Sequence, residues 1–401
     1  MNRRAVIFAA TAAFVSMFAG CSTGAEAADA PASGAAPAAA PLSWSRQFST
    51  DFSTASVDFS EVIAGGPPKD GIPAIDRPEF VPLEDAAAWL DGREPVLVVP
   101  WPADSPDRRT RIYPLQILTW HEIVNDRIAG EPIAVTYCPL CNTGIVFDSR
   151  ARGRELEFGV SGMLRYSNMI MYDRQTESWW QQATGEAIAG RLTGERLRIV
   201  PSLTLSFEDA RKGFPEAMVL SRQTGHARPY GTNPYEGYDS LERPFLYRGP
   251  EVDRAWSPLE QVVVVMVGGE SRAVPYAVLR EEGVVQFALG GRSVAVFWKA
   301  GTASALDSRS IARGRDTGSA NAFLAHAGAQ SLQFESTARG FRDTQTSTLW
   351  SEAGVAVEGP LKDERLPLLT AVQHFWFSYS AFADALVPPA AGSPGRSRGG
   401  D

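Results

Sequence analysis

The sequence predicts an α+β fold of two pseudo-repeated units that pack together, each mixed and largely antiparallel, with the second copy degenerate. Two observations predict this architecture. Short runs of branched apolar residues are joined by short links, which favours antiparallel strands over a doubly wound sheet. The chain also resembles itself, because blocks that begin at residue 111 recur in the same order from residue 272 onward.

The repeat rests on several ordered matches between the two halves. An ordered set of matches at a nearly constant offset indicates duplication of one structural unit. The matching blocks are RIYPLQIL (111–118) with RAVPYAVL (272–279), IVFDSR (145–150) with SALDSR (304–309), LEFGVSG with LQFESTA, DRQTESWWQQ (173–182) with DTQTSTLWSE (343–352), and GRLTGERLRIV (190–200) with GPLKDERLPLL (359–369).

The elements of the first unit follow from local patterns. EPVLVVPW and EPIAVTY are short, branched apolar runs and predict strands, as do GIVFDSR, ELEFGVSG and MIMYDR. PLQILTWHEIVND has apolar residues at helical spacing after a proline and predicts a helix. LSFEDARKGFP predicts a short helix closed by Gly213 and Pro215.

Positions that only one copy keeps are candidates for chemistry. VTYCPLCNTG in the first copy becomes VAVFWKAGTA in the second, so both cysteines are lost, and His121 falls opposite Glu282. The first copy therefore looks active and the second degenerate. Asp173, Thr176 and Trp180 recur in both copies, which favours a structural role for them.

The ends of the chain predict export and a lipid anchor. An apolar run too short to span a bilayer follows Arg3 and Arg4, and the run ends in FAGC, which resembles a bacterial lipobox with Cys21 as the lipidated residue. We expect the protein to be anchored outside the inner membrane, on its periplasmic face or at the outer membrane. The predicted boundaries are a lipoprotein signal peptide (1–20), an Ala/Pro-rich linker (21–43), the first repeat unit (44–221), an ordered inter-repeat loop (222–257), the second repeat unit (258–388) and a disordered tail (389–401).

Charge narrows the classes of partner. The net charge is −8 and the chain has no basic tract, which argues against nucleic acid as a partner. The predicted partner is the membrane, contacted through the lipid. The sequence leaves open which protein or small molecule binds, and whether the protein is an enzyme.

Five motifs together carry a resemblance to a known family. From about residue 60 to residue 387 the chain resembles an envelope family catalogued as domain of unknown function 3179. That resemblance implies no activity. This chain has Phe214 where members of the family often have the His of a His-Pro pair, which argues against an essential histidine there. The motifs are TWHEIVND, TYCPLCNTGIVFDSR, FGVSGMLRYSNMIMYDRQTESWWQQATGEAIAG, YGTNPYEGY and HFWFSYSAFADA.

The pair Cys138 and Cys141 is the strongest candidate site. Two thiols at C-x-x-C spacing can face one soft ion, so we predict a site for one copper or zinc ion. Two cysteines supply only two of the four ligands of a tetrahedral metal site. A methionine thioether as a further ligand would favour copper. The candidates for the remaining ligands are His121, His374 (if the two halves pack face to face), and Met169 or Met171.

Two other interpretations of the cysteine pair remain open. A thiol–disulfide couple would usually place the first cysteine at a helix N-terminus, whereas NTGIVFDSR after Cys141 predicts a turn and a strand. A structural disulfide or inert buried thiols would leave a non-catalytic module that binds a protein or glycan through its tryptophans. Arg165 and Asn168 are present in the first copy only and are candidates for polar groups that line a cleft.

Overall fold

The computed structural model describes residues 40–41, 43–102 and 108–386. The fold is mostly β, with 41% strand and 14% helix, and it consists of several antiparallel sheets. The α+β prediction therefore overestimated the helical share of the fold, because each of the described helices is short. The predicted signal peptide, the lipidated Cys21, nearly all of the linker and the predicted tail lie outside the described residues.

The described residues between 40 and 221 form three helices and the strands β1 to β16. The helices are α1 (Leu83–Ala86), α2 (Leu115–His121) and α3 (Phe207–Gly213). The strands are β1 (Val62–Ala64), β2 (Phe80–Pro82), β3 (Pro95–Trp101), β4 (Arg109–Pro114), β5 (Ile123–Ile128), β6 (Glu131–Cys138), β7 (Thr143–Asp148), β8 (Arg150–Ala151), β9 (Arg154–Glu155), β10 (Phe158–Arg165), β11 (Asn168–Asp173), β12 (Trp179–Gln181), β13 (Glu186–Ala189), β14 (Ile199–Val200), β15 (Leu203–Ser206) and β16 (Met218–Leu220).

Residues 258–386 form two helices and the strands β17 to β28. The helices are α4 (Tyr276–Glu282) and α5 (Trp376–Leu386). The strands are β17 (Gln261–Val267), β18 (Glu270–Pro275), β19 (Val284–Leu289), β20 (Arg292–Lys299), β21 (Ser319–Leu324), β22 (His326–Ala327), β23 (Gln330–Ser331), β24 (Phe334–Thr337), β25 (Gly340–Asp343), β26 (Leu349–Trp350), β27 (Ala356–Glu358) and β28 (Thr370–Phe375).

The strands form several small sheets and two short hairpins. Strands β4 and β16 run parallel, whereas neighbours such as β5, β6 and β7 run antiparallel. The sheet orders are β1-β10-β11-β12-β13, β14-β7-β6-β5, β15-β3-β4-β16-β2, β18-β17-β28, β19-β20-β21 and β24-β25-β26-β27, with the hairpins β8-β9 and β22-β23.

Helix α2 is shorter than its sequence pattern predicts. It begins after Pro114 and ends at His121, because Glu122 adopts the left-handed conformation at φ 59° and ψ −29°. Ile123 and Val124 then enter β5, where they pair with β6. Branched residues are favoured in strands, and this pairing overrides the helical spacing of the pattern.

The cysteine turn lies inside a core that both parts of the chain build. Cys138 and Cys141 belong to one buried cluster with Phe147 of β7 and with Val372 and Phe375 of β28. Strand β28 lies directly against β7. Burial of the turn therefore depends on residues that are distant in sequence. In the described part of the chain, no helix is long and apolar enough to cross a membrane.

Candidate functional site

The segment CPLC forms a tight turn between two strands of one sheet. Strand β6 ends at Cys138, a short 3₁₀ turn spans Pro139–Cys141, and β7 begins at Thr143. Asn142 closes the turn at φ 49°, a conformation that asparagine tolerates better than most residues. Because no α-helix begins at Cys138, the turn lacks the helix N-terminus that lowers thiol pKa in many redox proteins.

The two thiols are unpaired, buried and close to one oxygen. Cys138 is 2% exposed and Cys141 is 0% exposed, and neither forms a disulfide. Their sulfurs lie 3.9 Å and 3.4 Å from the carbonyl oxygen of Ser167, respectively. Burial raises the pKa of the Cys138 thiol well above its usual value, and the hydrogen bond and charge of Cys141 raise it further. Both features favour the protonated thiol over a bare thiolate.

A strained hairpin turn presents the Ser167 carbonyl to the thiols. Strands β10 and β11 are joined through Tyr166 and Ser167, which both have positive φ angles, of 53° and 65°. Two-residue turns with this backbone usually carry Asn-Gly, because other side chains are strained there. The Ser167 hydroxyl donates to the carbonyl oxygen of Phe245 at 2.5 Å, which anchors the turn to the loop that precedes the second half.

Glu122 is the residue at this site that the sequence analysis missed. Its carboxyl group is buried, and burial followed by the charge of Cys138 raises its pKa to about 8. The hydroxyl of Tyr235 hydrogen-bonds to the carboxyl group and lowers the pKa in part. The predicted repeat contained a signal for it. In that alignment His121 falls opposite Glu282, so Glu122 falls opposite Gly283, and Glu122 and Gly283 both have positive φ angles, of 59° and 71°. Glycine is the expected residue in that conformation.

A small, mostly apolar cavity of about 170 Å³ lies beside the cysteine turn. Leu140, one of the two residues between the cysteines, forms part of its wall together with Glu122 and Met169. The backbone amide of Met169 hydrogen-bonds to the sulfur of Cys138 and lowers its pKa in part. The remaining wall residues are Gly65, Pro67, Ile72, Val160, Gly162, Met163, Leu164, Tyr235, Tyr238, Phe245 and Leu246.

His374 comes from the second half and reaches the cysteine turn indirectly. Its Nδ1 lies 3.2 Å from the Thr143 hydroxyl, which donates to the carbonyl oxygen of Cys141 at 3.0 Å. The same Nδ1 lies 3.3 Å from the Ser378 hydroxyl. Among the described residues Nε2 has no hydrogen-bond partner. Burial lowers the pKa of His374 to about 3, so the ring is neutral at pH 7.

Both ring nitrogens of His121 form hydrogen bonds away from the cysteine turn. Its Nδ1 lies 2.7 Å from the carbonyl oxygen of Pro73, and its Nε2 lies 2.7 Å from the Tyr230 hydroxyl. Burial lowers its pKa to about 4, so this ring is also neutral at pH 7. With both ring nitrogens occupied, His121 offers no lone pair to an ion in this structure.

Asn168 and its neighbours form a buried polar network behind the turn. Asn168 Nδ2 donates to Gln182 Oε1 at 2.9 Å, and Gln182 Nε2 donates to the carbonyl oxygen of Thr143 at 3.1 Å. Asn168 Oδ1 accepts from Gln181 Nε2 at 2.6 Å and from the amide of Ala183 at 2.9 Å. Asn168 thus fixes β11 and β12 against β7.

The other predicted site residues lie outside this arrangement. Arg165 pairs with Glu61 at 2.6 Å, and its guanidinium lies 4.4 Å from the ring centre of Tyr166. Met171 is wholly buried and lies opposite Val160 and Trp180 in the sheet. Trp179 and Trp180 are both fully buried, so neither is available for the glycan or protein contact proposed for the tryptophans.

The site thus combines two thiols, a methionine, a buried carboxyl group and a neutral histidine nearby. In the described ranges, no three His, Cys, Asp or Glu residues are grouped so that they could hold a metal ion. Any ion here would depend on the two sulfurs and on softer or backbone groups.

Comparisons with known proteins identify a family whose function is unknown. The model of the family described as protein of unknown function (DUF3179) matches residues 69–385. A search of curated proteins found no match. A search of solved structures found none either.

Proposed function

The chain belongs to the DUF3179 family, and because that family has no known function we propose one from the site itself: Cys138 and Cys141 bind a single copper(I) ion. The observation that carries the proposal is the convergence of two buried sulfurs on the Ser167 carbonyl oxygen. A carbonyl oxygen repels a pair of bare thiolates and attracts a cation between them. Storage, delivery or redox use of copper would each fit such a site.

Copper(I) fits these ligands better than zinc. Zinc in proteins takes four nitrogen, sulfur or carboxylate ligands in a tetrahedron. The described residues contain no group of three such side chains. Copper(I) is softer, is satisfied by two or three sulfur ligands, and binds thiolate and thioether groups well. Met169 lines the same cavity as Leu140 of the turn, which makes it the best candidate for a third ligand.

The charge of a copper(I) site depends on the neighbouring carboxyl group. Two thiolates and one copper(I) ion carry one net negative charge, and a second buried negative charge would be costly. The raised pKa of Glu122, about 8, keeps its carboxyl group largely neutral at pH 7. The neighbouring carboxyl group therefore does not add to the charge of the copper site.

Copper titration of the purified protein tests the proposal. We expect one copper(I) ion per chain in competition with a copper(I) chelator, and we expect the Cys138→Ser/Cys141→Ser variant to lose it. Met169→Leu should weaken binding about tenfold if its thioether is a ligand, a change of about 1.4 kcal/mol. Met171→Leu is the matched control, and it should leave affinity unchanged, as should His121→Asn. Equal binding by the wild type and the double serine variant would overturn the proposal.

A thiol–disulfide couple is the second candidate, and one observation favours it. The Cys138 and Cys141 side chains share a hydrogen bond, so the sulfurs are close enough to be joined after a small movement. Exchange with a partner disulfide would oxidise the two thiols and reduce the partner. Burial and the raised pKa of Cys138 disfavour the reactive thiolate, so we rank this candidate second. If the reduction potential of the Cys138–Cys141 dithiol is as low as that of a structural disulfide, a role in thiol–disulfide exchange is excluded.

We also propose that the two halves of the chain are copies of one unit. Helices α2 and α4 both follow a proline, and each is followed by a residue with positive φ. The indole nitrogen of Trp180 donates to Asp173 at 2.9 Å, and that of Trp350 donates to Asp343 at 2.9 Å. The cysteines are found only in the first copy, which supports a specialised role for that half.

For location, we propose export and a lipid anchor at Cys21, supported by the FAGC motif. The protein would then stand in the cell envelope, where a copper site has access to periplasmic ions. Incorporation of labelled fatty acid into the wild type but not into Cys21→Ala would support the anchor. Equal labelling of both would contradict it.

A further inference from the structure

The cavity beside the cysteine turn has the volume of a single aromatic ring. Its volume is about 170 Å³, and an engineered apolar cavity of about 150 Å³ binds benzene. Glu122, Leu140 and Met169 belong to its wall, whereas neither Cys138 nor Cys141 is among the described wall residues. The cavity can therefore hold a ligand without displacing either sulfur. We refer to it as the apolar cavity.

Aromatic and methionine side chains line the apolar cavity from different parts of the chain. Tyr235, Tyr238 and Phe245 contribute three aromatic rings, and Met163 and Met169 contribute two thioethers. An aromatic ring packs favourably against other rings in offset or edge-to-face arrangements. Methionine sulfur also makes favourable contacts with ring edges. The wall therefore suits a flat aromatic molecule.

The wall offers one carboxyl group and no basic partner. The described wall residues include no lysine, arginine or histidine. Glu122 is buried, and the hydroxyl of Tyr235 hydrogen-bonds to its carboxyl group. A carboxyl group has two oxygens and can accept more than one hydrogen bond. The cavity thus provides an acceptor for a ligand hydroxyl and nothing to balance the charge of a ligand anion.

Irregular backbone shapes the wall on two sides. The register between β10 and β11 shifts between Val160 and Met163, and Gly162 within this bulge has a φ angle of 75°. Leu246 has a φ angle of 57°, which is unusual for a bulky residue. Bulges and strained residues of this kind are common beside functional sites. All four residues line the apolar cavity, which supports a binding role for it.

One wall comes from a strand that is longer than its counterpart in the second half. Strand β10 begins at Phe158 and has 8 residues. Strand β24, which aligns with it in the predicted repeat, begins at Phe334 and has 4 residues. Met163 and Leu164 lie in the part of β10 that extends beyond this alignment. The extension thus belongs to the same copy that carries the cysteines.

The apolar cavity reaches the protein surface at the loop around Phe245. Phe245 lines the cavity and is 57% exposed. The Ser167 hydroxyl donates to the carbonyl oxygen of Phe245 at 2.5 Å, which fixes this loop to the turn between β10 and β11. The exposed side of Phe245 therefore marks the mouth of the cavity.

We propose that the apolar cavity binds one small neutral aromatic molecule, a compound with a single six-membered ring and one hydroxyl group. The ring packs among Tyr235, Tyr238 and Phe245, and the hydroxyl donates to the carboxyl group of Glu122. Phenol is the simplest member of this class. Binding uses neither thiol, so this proposal goes beyond the copper(I) site and can hold or fail independently of it.

Two compounds of similar size test the ring and the charge. In calorimetric titration of the purified protein, we expect phenol to bind at one site per chain with a dissociation constant of about 1 mM or lower. Benzoate carries the same ring with a negative charge that finds no basic partner in the wall. It should bind at least about tenfold more weakly than phenol. Equal affinity of the two compounds, or no binding of phenol, would overturn the proposal.

Two matched variants locate the site. Ile72 lines the apolar cavity and Ile199 does not, and both are half-buried isoleucines that pack against the same core cluster. Ile72→Trp should fill the cavity and weaken phenol binding at least about tenfold, whereas Ile199→Trp should leave it unchanged. Circular dichroism checks that both variants fold, and Leu246→Trp fills the cavity from the loop if Ile72→Trp does not fold. Equal phenol affinity of the filled and control variants would overturn the assignment.

A comparison of phenol with toluene tests the contact with Glu122. Toluene has a methyl group where phenol has its hydroxyl. We expect the ratio of phenol affinity to toluene affinity to fall about fivefold in Glu122→Leu, the factor expected for one net hydrogen bond. Taking the ratio within each protein removes the effect of the substitution on the shape of the cavity. An unchanged ratio would overturn the assigned contact and with it the proposed ligand class.

Discussion

Four non-glycine residues around the thiols are held in the left-handed backbone region. They are Glu122, Asn142, Tyr166 and Ser167, with φ angles between 49° and 65°. Each costs on the order of 1–3 kcal/mol unless its side chain has a local reason to be there. Strain of this kind persists where surrounding structure enforces it, often at functional sites. These four strained residues therefore support a functional role for the cysteine turn, because backbone strain of this kind lowers the stability of the fold.

Ionisation of Glu122 should make the protein less stable as pH rises. Its pKa is raised from 4.5 to about 8, so the folded state binds the proton more tightly than the unfolded state does. The contribution is complete below about pH 4.5 and is lost as pH rises through about 8. We expect the free energy of unfolding to fall by on the order of 5 kcal/mol over that window because of this group.

Urea unfolding of Glu122→Gln at several pH values measures this contribution. The variant should show a flatter dependence of unfolding free energy on pH than the wild type between about 4.5 and 8. Glu94, whose pKa is about 7, contributes in the same direction, so the comparison uses the difference between variant and wild type. Glu335→Gln at an exposed position is the control. An unchanged slope in Glu122→Gln would show that Glu122 does not titrate as described.

His121 and Glu122 show how far residue types alone could predict the site. The sequence favours His121 because histidine is a common metal ligand, whereas the structure engages both of its nitrogens with Pro73 and Tyr230. Those partners are distant in sequence, so no local pattern could reveal them. Glu122 could have been predicted, because it aligns with Gly283 when the two halves of the sequence are compared. A glutamate at a positive φ angle, where glycine is expected, is strained and therefore points to a functional role.

At the scale of elements, the two halves use the same turn to begin a strand. Asp173 accepts from the amide of Thr176 at 2.6 Å and from the indole of Trp180 at 2.9 Å. Asp343 accepts from the amide of Thr346 at 2.5 Å and from the indole of Trp350 at 2.9 Å. Both carboxylates are fully buried, so each turn depends on one acceptor group that serves several donors.

The two aspartates should therefore be equally sensitive to substitution. Asp173→Asn and Asp343→Asn each replace one acceptor oxygen by a donor that faces other donors. We expect each to lower the free energy of unfolding by about 1–3 kcal/mol, the cost of a buried unsatisfied group. Urea unfolding measures the loss, with Asp384→Asn at an exposed position of α5 as the control. A loss in only one of the two variants would argue against equivalent turns and weaken the proposed duplication.

The strands were easier to predict than the extent of the helices. GIVFDSR was predicted as a strand, and β7 covers Thr143–Asp148, because branched and aromatic residues alternate there without helical spacing. PLQILTWHEIVND was predicted as one helix, but only Leu115–His121 is helical. The pairing of β5 with β6, which decides where α2 ends, is a tertiary contact. Helical spacing in a single segment carries no information about such a contact.

At the scale of the whole molecule, the two halves share their cores. One buried cluster joins Val96 and Phe207 of the first half to Phe297 and Trp350 of the second. Asn321 Nδ2 donates to the carbonyl oxygen of Thr204 at 2.9 Å, and its Oδ1 accepts from the Thr204 amide at 3.0 Å. The sequence could suggest two units, but not which faces meet, because each half shows only its own apolar pattern.

The shared core predicts one cooperative unfolding transition for the described domain. The thiols are covered partly by β28 of the second half, so they should become reactive only when both halves separate. We expect tryptophan fluorescence and the reaction of Cys138 and Cys141 with a thiol reagent to follow the same urea midpoint. Asn321→Ala removes both bonds to Thr204 and should lower both midpoints together, by about 1–3 kcal/mol in unfolding free energy. Thiol reaction that precedes the fluorescence change would show that the second half opens first, and the cysteine site would then be accessible to partners without global unfolding.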